Sequence, residues 1–184
     1  MSRYVDKVIN LKQKNIRNAN VKHILLCGDT HYIKYIGVTM TSILLTNKGE
    51  EFEFHIFVDS VSEEDLSRLE QTSEKFSVSI NIYFINVDVI KKFSEDMHGN
   101  DHISVAAYFR FIAFGALYKI VDKVLYLDSD ICVLDDKINI FWKVDLLNKI
   151  AIVIGKQAGD SSEIRLNVEK AFNSGVIFVD INNW

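Results

Sequence analysis

The chain has no proline in 184 residues, where average usage of about 5% would supply roughly nine. It therefore has no proline-rich linker, and no internal repeat or low-complexity tract takes the place of one. Only two cysteines are present, Cys27 and Cys132. They lack metal-ligand spacing and both lie in apolar runs, so the expectation is two buried thiols in a reducing compartment, not a disulfide scaffold. Nothing at the start of the chain resembles a signal peptide, and no apolar stretch approaches a membrane span. A cytoplasmic protein is expected. A positive surplus is missing too, since the net charge of −4 argues against nucleic acid as the main partner.

The charge that is there is uneven. Residues 1–22 carry Arg3, Lys7, Lys12, Lys14, Arg17 and Lys22 against Asp6 alone, which puts this segment at +5 and the rest of the chain at −9. Such a segment is either a solvated helix or an arm that leans on an anionic membrane surface. The scattered apolar residues Val5, Val8, Ile9, Leu11 and Ile16 predict a short helix within 4–17. Residues 1–20 are accordingly read as an arm and 21–184 as one domain. Hydrophobic content of 48% and charged content of 25% suit a globular domain with a substantial core.

From His23 onward, apolar strands alternate with amphipathic helices. His23 to Cys27 is a strand that breaks at Gly28-Asp29-Thr30, where Asp29 or Thr30 can cap the helix that follows at about Ile36 to Leu45. Asn47-Lys48-Gly49 ends that helix. Phe52, Phe54, Ile56 and Val58 mark a second strand. Ser62 opens a helix with Glu63, Glu64 and Asp65 in its first turn. Val78, Ile80, Ile82 and Phe84 mark a third strand. This β-α-β-α-β run predicts a parallel sheet. Residues 86–103 read as a loop, in which His98 and His102 lack a third ligand and count as ordinary loop residues. Ser104 to Ile120 reads as a buried helix. Its Arg110 must find an anion, either a structural carboxylate or a substrate phosphate. Phe141-Trp142 anchors a short helix and Ile150 to Ile154 is a strand. Asn173-Ser174-Gly175 is read as a turn before a buried strand at Val176 to Val179.

The central stretch is Val124-Leu125-Tyr126-Leu127-Asp128-Ser129-Asp130. Continuous apolar residues predict a strand buried on both faces. If the chain stays extended, Asp128 and Asp130 point to the same side, at the sheet edge where open α/β folds bind ligands. Two close carboxylates repel each other, and a divalent cation relieves the repulsion, with hard oxygen ligands suiting Mg²⁺ or Mn²⁺; the alternative from local pattern is two solvated turn aspartates after a strand.

Four segments together resemble family 8 glycosyltransferases. They are Ile24 to Tyr32 with Tyr35-Ile36-Gly37-Val38 and Ser42-Ile43-Leu44, then Tyr108-Phe109-Arg110-Phe111, Tyr126 to Asp130, and Phe172-Asn173-Ser174-Gly175-Val176, in family order. The bacterial lipopolysaccharide-core hexosyltransferases are the most similar members. The resemblance implies an α/β GT-A (nucleotide-diphospho-sugar transferase) fold, a mostly parallel Rossmann-like sheet flanked by helices. It implies metal-dependent transfer of glucose or galactose from a UDP-sugar, with retention, to a saccharide or glycolipid acceptor in lipopolysaccharide biosynthesis. Asp128 and Asp130 would hold Mn²⁺ or Mg²⁺. Gly28, Asp29, His31, Tyr32, Arg110, Asp128 and Ser129 would contact the donor, Asp29 and Tyr32 at the uridine. His31 stands where the family often has asparagine. Asn173 and Asp160 would serve the sugar or acceptor side. The family's third metal ligand, a histidine in a His-x-x-Gly-x-x-Lys-Pro-Trp motif, falls beyond residue 184. The resemblance thus makes this chain the nucleotide-binding part of a longer enzyme, with weak metal affinity and little transferase activity by itself. A haloacid-dehalogenase-type phosphotransferase also uses a strand followed by Asp-x-Asp. Here Cys132 replaces the threonine or valine expected there, and no later paired-aspartate loop follows.

Overall fold

The computed structural model describes residues 4–11, 20–88, 91, 95, 105–155 and 172–184. Its strands are β1 (Val5–Leu11), β2 (Lys22–Gly28), β3 (Phe52–Val58), β4 (Ser79–Ile85), β5 (Lys123–Leu127), β6 (Ala151–Gly155) and β7 (Phe172–Asp180). They form one sheet in the order β1-β4-β3-β2-β5-β7-β6. The inner strands β4, β3, β2 and β5 run parallel, and β1, β7 and β6 pair antiparallel to their neighbours. From β2 the chain builds outward to β3 and β4, then crosses back to lay β5 on the other side of β2. The strand order therefore reverses between β2 and β5, where an open α/β sheet leaves a crevice at the carboxyl ends of its strands.

Each inner strand is apolar at successive positions because both sheet faces are covered. Helices α1 (Ile33–Thr46) and α2 (Glu63–Phe76) bury Ile36, Met40, Ile43 and Leu69 against Ile24, Leu26, Phe54 and Ile56 on one face. Helix α3 (Phe109–Ala116) buries Phe109, Ala113 and Phe114 against Leu25, Phe57, Val124 and Tyr126 on the other. Val124 to Leu127 of β5 are all buried, as expected of a strand covered on both sides.

The start of α2 shows how local chemistry sets an element boundary. Ser62 Oγ accepts from the Asp65 N–H at 3.1 Å and donates to the Asp65 carboxylate at 2.8 Å, with Glu63, Glu64 and Asp65 filling the first turn. Ser62→Ala should cost about 1 kcal/mol. That loss should appear as a lower urea midpoint at unchanged slope.

Several sequence expectations are corrected here. Over residues 5–11 the predicted helix is instead β1, an edge strand paired with β4. Val5, Val8 and Ile9 mimic helical spacing because a register shift between Val5 and Lys7 inserts an extra residue and breaks the two-residue period. Residues 5–11 of the basic segment are thereby part of the sheet, and the remainder of the expected helix lies outside the described residues. The long buried helix over 104–120 is shorter: a 3-10 turn at Val105–Tyr108 precedes α3, which ends at Ala116, and Phe111, Tyr118 and Ile120 are exposed. Phe141 and Trp142 sit in a 3-10 segment, Asp136–Lys143. Residues 173–175 are part of β7 and not a turn. Cys27 is buried, but Cys132 is exposed because the chain leaves the sheet after Leu127. No helix among the described residues is long and apolar enough to cross a membrane.

Candidate active site

The four sequence motifs meet at one edge of the sheet. Leu26 of β2 lies beside Leu127 of β5, and Leu127 lies beside Val176 of β7. The residues just beyond these positions, Gly28-Asp29, Asp128 to Asp130 and Asn173 to Gly175, therefore surround the mouth of the crevice at the strand-order reversal.

Asp128 ends β5 and does not continue it. Its carbonyl accepts from the Ile131 N–H at 3.2 Å, which turns the chain over residues 128–131. The expectation that Asp128 and Asp130 share a side through strand alternation is thus replaced by a turn, with Asp128 half-buried, Ser129 buried and Asp130 exposed. The turn is held from three directions. Ser129 Oγ donates to the Cys27 carbonyl of β2 at 2.5 Å. Thr39 Oγ1 of α1 donates to the Ser129 carbonyl at 2.9 Å. Ser42 Oγ accepts from the Val133 N–H at 3.0 Å. Ser129, expected to meet the donor, spends its hydroxyl on fixing this turn.

The Asp128 side chain is aimed by two neighbours. Tyr126 donates its hydroxyl to Oδ1 at 2.6 Å, and the Arg110 guanidinium lies 3.4 Å from the same oxygen. Burial, with Cys27 and the hydrogen bond to Asp128 adding to it, pushes the Tyr126 hydroxyl far above the ordinary phenol range, so it stays a donor. Arg110 also donates to the Ser174 carbonyl at 2.8 Å and lies 4.6 Å over the Tyr126 ring. Its side chain is only 14% exposed. The anion sought by this lone guanidinium is therefore a carboxylate of the site itself.

Opposite Arg110, Gly175 supplies room. A Cβ there would sit 2.7 Å from Asp128 Oδ2 and 3.0 Å from Asn173 Oδ1. Asn173 Oδ1 accepts from the Gly175 N–H at 2.8 Å, so the oxygens of Asp128 and Asn173 converge over this glycine. At the β2 end, Asp29 caps a 3-10 turn, Thr30–Tyr32, by accepting from the His31 N–H at 2.9 Å. A Cβ on Gly28 would sit 2.9 Å from the Tyr32 Cβ, so glycine there lets the turn close onto the strand end. His31 and Tyr32 are exposed, and the Tyr32 ring lies 5.5 Å from that of Tyr35. Asp160, His98 and His102 lie outside the described residues.

The donor set suits a hard divalent cation. Asp128 keeps Oδ2 outside its contacts with Tyr126 and Arg110, and Asp130, two residues on in the same turn, is exposed and makes no hydrogen bond or ion pair among the described residues, so both carboxylates are available to a hard cation. Sequence reasoning missed Tyr126, Thr39 and Ser42. Only Tyr126 left a signal, since it precedes Asp128 by two residues and so shares its side of the strand.

A galactosyltransferase, LgtC, solved with donor and acceptor sugar analogues superposes with a TM-score of 0.75 at 22% identity, covering 88% of this chain and 59% of that one. The protein has the GT-A fold. The family model for glycosyl transferase family 8 matches residues 23–184, and the chain belongs to that family. General stress protein A of Bacillus subtilis (strain 168) is 32% identical over 92% of this chain and 59% of its own length. Lipopolysaccharide 1,2-glucosyltransferase of Escherichia coli (strain K12) is 27% identical over 98% of this chain and 54% of its own length. The chain thus spans somewhat more than half the length of these relatives.

Proposed function

We propose that the protein supplies the nucleotide-sugar half of a metal-dependent, retaining hexosyltransferase that uses a UDP-hexose donor. The observation that carries this reading is the Asp128 carboxylate, held on Oδ1 by Tyr126 and Arg110 while Oδ2 lies against Gly175, where only a glycine leaves it room. Asp128 and Asp130 are the residues that would hold Mn²⁺ or Mg²⁺. That ion would supply positive charge against the negative charge developing on the departing diphosphate. Arg110, largely withdrawn from water, adds a fixed positive charge beside it, and preorganised charge of this kind lowers a barrier without reorganising during the reaction. Tyr32 offers an exposed ring for the uracil, and Asp29 an acceptor for the base. Asn173, and Asp160 by its motif position, would face the sugar, whose oxocarbenium-like transition state nearby oxygens stabilise.

The acceptor in this reading is a saccharide or glycolipid of the lipopolysaccharide-core kind, supported by the family and by the similarity to the Escherichia coli lipopolysaccharide 1,2-glucosyltransferase. A cytoplasmic location with a weak electrostatic hold of residues 1–22 on the inner membrane is part of the same reading.

The test is calorimetric titration of UDP with and without Mn²⁺. UDP should bind more tightly with Mn²⁺, and the Mn²⁺ enhancement should vanish in an Asp128→Asn/Asp130→Asn variant that keeps its thermal transition. UDP binding indifferent to both metal and mutation would overturn the assignment.

A further inference from the structure

A second group of ligating side chains lies at the opposite end of the parallel strands. His23 is the second residue of β2 and Glu53 the second of β3, and the two are paired across the strands. His55 follows Glu53 by two and so shares its face. His23 Nδ1 and His55 Nε2 lie 3.1 Å apart, and His23 Nδ1 is 3.9 Å from Glu53 Oε2. One ligand atom from each of the three residues falls within 4.8 Å of the others.

The surroundings orient this trio. The second ring nitrogen of His55, Nδ1, is 3.1 Å from the Tyr83 hydroxyl. Asn81 donates to Glu53 Oε1 at 2.7 Å, leaving Oε2 on the His23 side. Each inner ligand therefore has a partner on its far atom, the arrangement that fixes ring orientation around bound metals. His55 is fully buried, while the His23 and Glu53 side chains are 21% and 31% exposed, which leaves a path to water.

We propose that His23, Glu53 and His55 form a binding site for a divalent transition cation, zinc foremost, with water in the fourth position. Two imidazoles and one carboxylate are a known zinc donor set. Two nitrogens bound to one tetrahedral zinc sit roughly 3.3 Å apart, close to the separation present here. Imidazole donors favour zinc over the hard cations suited to the all-oxygen pair Asp128 and Asp130. The site bridges β2 and β3 at the strand ends opposite the crevice.

Competition of Zn²⁺ against a chromophoric chelator tests this in the Asp128→Asn/Asp130→Asn background, which removes the other candidate metal site. One equivalent of Zn²⁺ should bind and raise Tm. His23→Gln and Glu53→Gln, both at half-buried positions, should each weaken binding at least about tenfold. Tyr83→Phe, which preserves the stacking of Tyr83 on Phe57 at 4.3 Å, should weaken it about 10- to 100-fold. Absence of Zn²⁺ binding in the background variant would overturn the site and leave the trio as a hydrogen-bonded network. So would unchanged Zn²⁺ affinity in the folded His23→Gln or Glu53→Gln variant.

Discussion

Gly175→Ala is expected to abolish Mn²⁺-dependent UDP binding while leaving the protein folded. The new methyl would meet Asp128 Oδ2 at 2.7 Å and Asp128 Cγ at 3.2 Å. Gly175 cannot retreat, because its carbonyl accepts from the Asp128 N–H at 2.8 Å and its own N–H is held by Asn173. The carboxylate has to move instead, giving up its hydrogen bond from Tyr126 and its pairing with Arg110. Overpacking and one or two lost polar contacts should cost roughly 1–3 kcal/mol. UDP affinity with Mn²⁺ should fall at least about tenfold. Calorimetry alongside thermal unfolding separates the two. Full retention of Mn²⁺-dependent binding would mean that Asp128 does not need its present orientation.

Phe178→Ala is expected to give the largest stability loss. Phe178 is wholly buried in β7, opposite Leu125 of β5 and Ile152 of β6. Its ring is 5.8 Å from that of Phe141 and 5.4 Å from that of Trp142, so it is the surface on which the Asp136–Lys143 segment rests. Truncating a buried phenylalanine costs about 3–5 kcal/mol. For a domain of this size that corresponds to a fall in Tm of roughly 10 °C. Leu134→Ala, at a side chain 84% exposed, is the control and should stay within about 0.5 kcal/mol. Equal effects at the two positions would contradict the packing described.

Local pattern carried much of this architecture. β2 to β4 and the two helices between them were readable because their apolar periods and caps agree. Other elements were hidden where a local signal was broken or a neighbour decided the outcome. The register shift in β1 made a strand look helical. At the candidate site, Asp128, Arg110 and Asn173 were legible as residues, but not their mutual arrangement. The contact between Arg110 and Asp128 spans two elements, and strand alternation gave the wrong geometry for Asp130. The trio on β2 and β3 escaped notice because His55 read as an ordinary position in an alternating strand. Its neighbours arrive only through the register of three strands.

The ties between α1 and the aspartate turn have a mechanical consequence. The Thr30–Tyr32 turn runs directly into α1, and the same helix grips the turn at Ser129 and Val133 through Thr39 and Ser42. Ser129 closes the loop back to β2 through Cys27. The exposed Tyr32 ring and the Asp128 carboxylate are thus mounted like the two jaws of a caliper on one frame. Their separation is set in the free protein, so a ligand reaching from one to the other has little left to order in that frame on arrival.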